Sequence, residues 1–177
     1  MPSADAPSTA VGWRHRWRRW AFDIALILVV FLLVQWWQGR PLASGEAPPL
    51  AGVLLDGGRF DLAAGRERPI LVHVWATWCP VCKLTDATID GIARDHPVVT
   101  VAMQSGGAEE IRAYMRETGL AFPVIADPDA ALASRWGVRA VPASFVVDTA
   151  GRIRYATVGA STGWGLRLRL WAAAHWH

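Results

Sequence analysis

The stretch that most limits what this chain can fold into runs from Pro69 to Ile92. Pro69 to Trp75 is an apolar run that reads as a buried strand. Ala76-Thr77-Trp78-Cys79-Pro80-Val81-Cys82-Lys83 follows, and Val81, Leu84, Thr88 and Ile92 recur at helical spacing. Cys79 and Cys82 are the only two cysteines among 177 residues. The spacing puts Cys79 at a helix N-terminus, where free backbone N–H groups and the macrodipole favour a thiolate. It puts Cys82 about one turn further on the same face, within reach of a disulfide. Strand, short turn, cysteine pair and helix is the order that a dithiol redox site needs.

Other uses of the pair fit less well. A structural disulfide across residues three apart closes a very small loop and removes little chain entropy. Zinc needs two more ligands, yet no histidine lies between His96 and His175 and no further cysteine exists. Covalent haem attachment needs histidine directly after the second cysteine, where this chain has Lys83. No metal and no bound cofactor are expected.

Charge matters here through its placement. The net charge is +3, and residues 1–20 carry Arg14, Arg16, Arg18 and Arg19 against Asp5. The remaining 14 basic and 14 acidic side chains cancel. A nucleic-acid partner would need a basic patch on the folded part, and none is expected. Trp20 to Trp37 is apolar apart from Asp23 and Gln35. As an 18-residue helix it spans about 27 Å, close to the ~30 Å hydrocarbon core of a bilayer. Trp17 and Trp20 at one end and Trp36 and Trp37 at the other make an aromatic belt. The arginines before it place the N-terminus in the cytoplasm. A cleaved signal peptide is the rival, but Gln35-Trp36-Trp37 is a poor approach to a small-residue cleavage site, leaving Leu42-Ala43-Ser44 as the candidate. The expected organisation is a basic arm over 1–19, a transmembrane signal anchor over 20–38, a linker over 39–49 and a folded domain over 50–177.

Within that domain, Leu50 to Leu62 reads as a hairpin around Asp56-Gly57-Gly58-Arg59. Ile70 to Trp75 is the central strand, and the cysteine helix runs from Cys79 to about Asp95, before His96-Pro97. Val98 to Met103 is a second buried strand. Ala108 to Thr118 is an amphipathic helix stopped by Gly119. Phe122 to Ala126 is extended, and Asp127-Pro128 opens a helix from Asp129 to Trp136. Ala143 to Val147 and Ile153 to Val158 are antiparallel strands, and Leu166 to Trp176 is a C-terminal helix. The alternation indicates an α/β domain with a mixed sheet.

Trp75 to Cys82 resembles the active site of the thioredoxin superfamily. The similarity is greatest to its membrane-anchored TlpA/ResA/DsbE-like branch and, within it, to ScsD-like protein disulfide oxidoreductases. Leu71 to Cys82, Gly137 to Asp148 and Gly165 to Trp171 carry it. The resemblance implies a thioredoxin fold, a mixed central sheet flanked by helices, after an N-terminal transmembrane helix. It implies that Cys79 is the exposed nucleophile and Cys82 the buried thiol that resolves the mixed disulfide. Val141-Pro142 matches the cis-proline position facing the cysteines, where the Val141 backbone would pair with an extended substrate. Trp78 is expected exposed as part of the substrate surface, Trp75 inside, and Lys83 solvated. Two residues depart from the pattern. His73 stands where thioredoxin has a buried acid, so it either tunes Cys82 or is a satisfied core histidine. Pro80 suits an early helical position but removes one N–H from the thiolate's surroundings.

The resulting expectation is a single-pass inner-membrane protein with a periplasmic domain, exchanging its Cys79/Cys82 pair with protein dithiols and disulfides. A membrane thiol reductase of the DsbD/CcdA/ScsB type is the implied electron donor. The implied role is reductive or isomerising, for instance in cytochrome c maturation or in copper and oxidative stress tolerance. The alternative from another class is a Cu(I)-handling module using the two thiolates, for which Met103 and Met115 are the available soft third ligands in the domain. A membrane-tethered binding protein with an idle cysteine pair is the third reading.

Overall fold

The computed structural model describes residues 20, 22–30, 32–33, 42–65 and 67–175. The basic arm expected over 1–19 lies outside them, and the expected span over 20–38 does so in part. Residues 22–30 are helical, with Phe22, Ile24, Ile27 and their apolar neighbours exposed. Among the described residues no helix is long and apolar enough to cross a membrane. The chain divides into two units, Met1–Trp37 and Gln38–His177, and the second carries the sheet.

Among the described residues of the second unit, eight strands are present: β1 (Gly45–Glu46), β2 (Ala51–Val53), β3 (Arg59–Asp61), β4 (Ile70–Trp75), β5 (Val98–Met103), β6 (Val124–Asp127), β7 (Ala143–Val147) and β8 (Arg152–Val158). Four helices accompany them there: α1 (Pro80–Ala93), α2 (Ala108–Thr118), α3 (Ala131–Arg135) and α4 (Gly163–His175). Six strands form one mixed sheet in the order β1-β8-β7-β4-β5-β6, and β2 and β3 form a separate hairpin. β4 is parallel to β5, and β5 to β6; β4–β7, β7–β8 and β8–β1 are antiparallel.

β4 lies at the centre because every residue of it is buried, as suits a strand covered on both faces. Ile70, Val72 and Val74 pack on one side with Val99, Val101, Phe145, Val147, Trp136 and Leu50. Leu71 and Trp75 pack on the other with Cys79, Cys82, Ile89 and Ile92 of α1 and Leu166 and Leu170 of α4. The period of two in β4 therefore assigns His73 to the α1 side.

Three local differences from the expectations have clear causes. Residues 42–49, expected as linker, are tied to the domain: Leu42 is buried, Ala43 N–H donates to the Trp136 carbonyl at 2.9 Å, and β1 pairs with β8. On the far side, Leu54 bridges Ile125, and Leu55 N–H donates to the Val124 carbonyl at 3.0 Å. The helix expected over 129–136 is shorter, because the Asp127 carboxylate caps it from four residues upstream, accepting from Leu132 N–H at 3.0 Å and Ala133 N–H at 2.9 Å. On α1, Val81 and Leu84 prove exposed, and the buried face is Cys82, Thr85, Asp86, Ile89, Asp90 and Ile92. The apolar stripe expected from Val81, Leu84 and Thr88 thus does not face the core, whereas a cysteine and two aspartates do. Gly119 ends α2 at φ 70°, as expected of a left-handed cap.

Candidate active site

The strand-to-helix turn builds the site. β4 ends at Trp75, which is wholly buried, its indole N–H donating to Thr100 Oγ1 at 3.1 Å. The next turn is held from β5's C-terminal loop. Thr77 N–H donates to Ser105 Oγ at 3.0 Å, and the exposed Trp78 indole N–H donates to the Gln104 carbonyl at 2.9 Å. Cys79 then caps α1, with Pro80 in its first turn. The Cys82 backbone N–H donates to Cys79 Sγ at 3.2 Å. Pro80 supplies no N–H, so Cys82 N–H is the helix-terminal donor that Cys79 uses.

Both cysteines are free thiols. Cys82 is fully buried, as expected. Cys79 was expected exposed, yet it is only 4% exposed. The loop before β7 explains this: Val141-Pro142 is a cis peptide, and the Val141 carbonyl lies 3.6 Å from Cys79 Sγ. The structure brings Trp78, Cys79, Pro80, Cys82, Val141 and Pro142 to one place, with Val141-Pro142 at the position that the resemblance implied. Burial pushes the Cys82 thiol well above its ordinary range, and the neighbouring Cys79 and Asp86 push the same way.

His73 is buried on the α1 side of the sheet. Its Nδ1 lies 2.9 Å from Ser144 Oγ, while Nε2 has no partner. Burial lowers its pKa to about 4, so the ring is neutral at physiological pH. The residue missed from sequence is Asp86, one turn beyond Cys82. It is 5% exposed, and Tyr114 of α2 donates its hydroxyl to Oδ2 at 2.7 Å. Oδ1 has no partner. Burial raises its pKa, with Tyr114 and Lys83 opposing. Its position four residues after the second cysteine was the available signal. Lys83 is exposed, as expected, with Nζ 5.9 Å from the Tyr114 ring centroid. Among the described residues no group of three or more His, Cys, Asp or Glu side chains is placed to hold a metal. Met103 packs with the β2–β3 side of the sheet and Met115 with the cysteine side.

Paired thiols at a helix N-terminus, facing a cis-proline on a thioredoxin-like mixed sheet, define the class as thiol–disulfide oxidoreductase. The chain belongs to the redoxin family, whose model matches residues 42–164, and falls in the DsbE/TlpA-like branch of the thioredoxin superfamily. A thioredoxin-like protein of Haemophilus influenzae is 29% identical over 153 residues, 85% of this chain and 91% of its own. The thiol:disulfide interchange protein DsbE of Xylella fastidiosa is 27% identical over 148 residues, 77% of this chain and 74% of its own. The crystal structure of a thiol:disulfide interchange protein from Chlorobium tepidum shares the fold. It superposes with a TM-score of 0.64 at 24% identity, covering 75% of this chain and 97% of that one.

Proposed function

We propose that this protein is a membrane-anchored, periplasmic reductant of protein disulfides. Cys79 attacks the substrate disulfide, and Cys82 resolves the mixed disulfide. The observation that carries the reading is the Cys79–Cys82 pair at the start of α1, with Cys82 N–H on Cys79 Sγ and the Val141 carbonyl beside it. Val141 offers backbone to an extended substrate, and the exposed Trp78 offers apolar surface next to the sulfur.

The reductive direction rests on the sequence resemblance, and burial keeps Cys82 a protonated thiol until it resolves the mixed disulfide. Membrane anchoring rests on the apolar stretch from Trp20 to Trp37 and the arginines before it. Electrons would then come from a membrane thiol reductase of the DsbD/CcdA/ScsB type. The DsbE-named relatives support thiol:disulfide interchange, and the sequence resemblance implies a role in cytochrome c maturation or in copper and oxidative stress tolerance.

The test is the reduction potential of the full-length chain, equilibrated against glutathione or dithiothreitol. A value near that of thioredoxin, about −270 mV, is expected. A value near about −120 mV would make the protein a disulfide donor and reverse the direction.

A further inference from the structure

We propose that Asp86, positioned by Tyr114, takes the proton from Cys82 when that thiol resolves the mixed disulfide. The inference rests on the dithiol exchange above and assigns a residue to the step that exchange leaves open. Cys82 is fully buried and must lose a proton before it can attack. An acceptor has to lie inside the fold with it.

Asp86 meets that requirement geometrically. It shares the buried face of α1 with Cys82, one turn on. Side chains four apart on a helix stand about 5–6 Å apart at Cβ, and the Asp86 charge acts on the Cys82 thiol. Oδ2 is occupied by the Tyr114 hydroxyl, and Oδ1, equally buried, has no partner. A buried carboxylate oxygen without a donor is costly and calls for a reason. A proton arriving from Cys82 supplies one.

The neighbouring groups fit the role less well. His73 approaches from β4, but its Nδ1 faces Ser144 and its burial keeps the ring from charging at neutral pH. Thr85 donates its hydroxyl to the Cys82 carbonyl at 3.0 Å. Tyr114, from α2, is itself held above its ordinary range by burial and by Asp86, so it stays a donor. Lys83 on α1 and Tyr114 favour the Asp86 carboxylate, and burial opposes them. An ionised Asp86 disfavours a Cys82 thiolate beside it, so a proton that passes from Cys82 to Asp86 avoids having both groups charged at once.

Cys82 Sγ–H gives its proton to Asp86, and the thiolate attacks Cys79 Sγ in the mixed disulfide. The Cys79–substrate S–S bond breaks, and its electron pair leaves on the substrate sulfur. The Cys79–Cys82 disulfide forms, so the protein loses two electrons and the substrate gains them. Asp86 passes its proton to the leaving thiolate or to solvent.

Rapid mixing of the reduced full-length chain with dithiobis(nitrobenzoate) separates the two attacks. Cys79 releases the first coloured thiolate, and Cys82 releases the second. In Asp86→Asn the second release is expected to slow by about 10–100-fold at neutral pH. The first release should be unchanged, and the deficit should shrink as hydroxide takes over at higher pH. Asp86→Glu should restore part of the rate. Tyr114→Phe removes a hydrogen bond that lowers the Asp86 pKa, so it should move the profile to higher pH. A wild-type second phase in Asp86→Asn would overturn the assignment. So would equal slowing of both phases at every pH, or loss of the second phase in His73→Asn with Asp86→Asn intact. A wild-type chain that releases neither thiolate overturns the dithiol exchange itself.

Discussion

The two faces of the central sheet are built to different rules. On one, β4, β5 and β7 present Ile70, Val72, Val74, Val99, Val101, Phe145 and Val147, closed over by Trp136 and Leu50. On the other, the same strands present a polar row. Thr100 and Ser144 flank His73 in register, beneath an α1 face that carries Cys82 and Asp86. The apolar face stabilises by burial at roughly 25 cal/mol per Å². The polar face holds groups whose burial costs free energy unless they are paired, and both His73 Nε2 and Asp86 Oδ1 are left without partners there. The comparison teaches that this fold confines its chemistry, and the cost of the unpartnered His73 and Asp86 atoms, to one side of the sheet.

The largest expected effect breaks the comparison from its apolar side. Phe145 is fully buried and meets Trp136 edge-on at 4.9 Å between ring centroids. Phe145→Ala is expected to destabilise the domain by about 3–5 kcal/mol. Below its melting range the variant should keep both phases of thiolate release. Loss of the second phase at full folding would show that the two faces are not separable.

The next effect lies on the polar side and depends on pH. His73 has a folded pKa of about 4 against 6.5 in the unfolded chain. Its neutral form is the folded form, so stability is intact above pH 6.5 and falls as pH drops towards 4. The difference corresponds to about 3 kcal/mol. Urea midpoints measured across that window should fall, and His73→Gln should flatten the decline. A wild-type midpoint that stays constant would refute the burial argument.

The smallest effect is a gain. Asp86 has a raised folded pKa, so stability falls as pH rises from 3.8, its value in the unfolded chain, towards the folded value. Asp86→Asn should raise Tm by about 2–4 °C at alkaline pH, with the gain vanishing in acid. A lower Tm throughout would mean that the carboxylate stabilises the fold instead.

The parts legible in the sequence are those whose physics is local. β4, β5 and β7 are short apolar runs buried on both faces, and the hairpin announces itself through Asp56-Gly57-Gly58. Cys79, Cys82 and Pro142 follow from spacing and resemblance. The rest depends on partners remote in sequence. β1 is two exposed residues that enter the sheet only because β8 is there to receive their backbone. Asp90 is buried because Ala121 N–H, 31 residues away, donates to it at 2.7 Å. Asp86 is buried because Tyr114 reaches it from α2. Polar residues at these positions of α1 read as a solvated face, so the helix was oriented by Val81 and Leu84, which the fold leaves outside.

The short N-terminal segment has a consequence beyond joining the domain to what precedes it. β1 lies along the outer margin of β8, while Leu54 and Leu55 bond to the outer margin of β6. One stretch of chain thus clasps both ends of the sheet. Unpaired strand margins are templates for pairing with other chains, and a protein that exchanges disulfides with other proteins meets many of them. Gly52 permits the clasp at one end, since a Cβ there would stand 2.8 Å from Ile125 Cγ2. The two contacts cover part of each margin, at Arg152 and Ile153 on β8 and at Val124 and Ile125 on β6, and so shorten the edge open to such pairing.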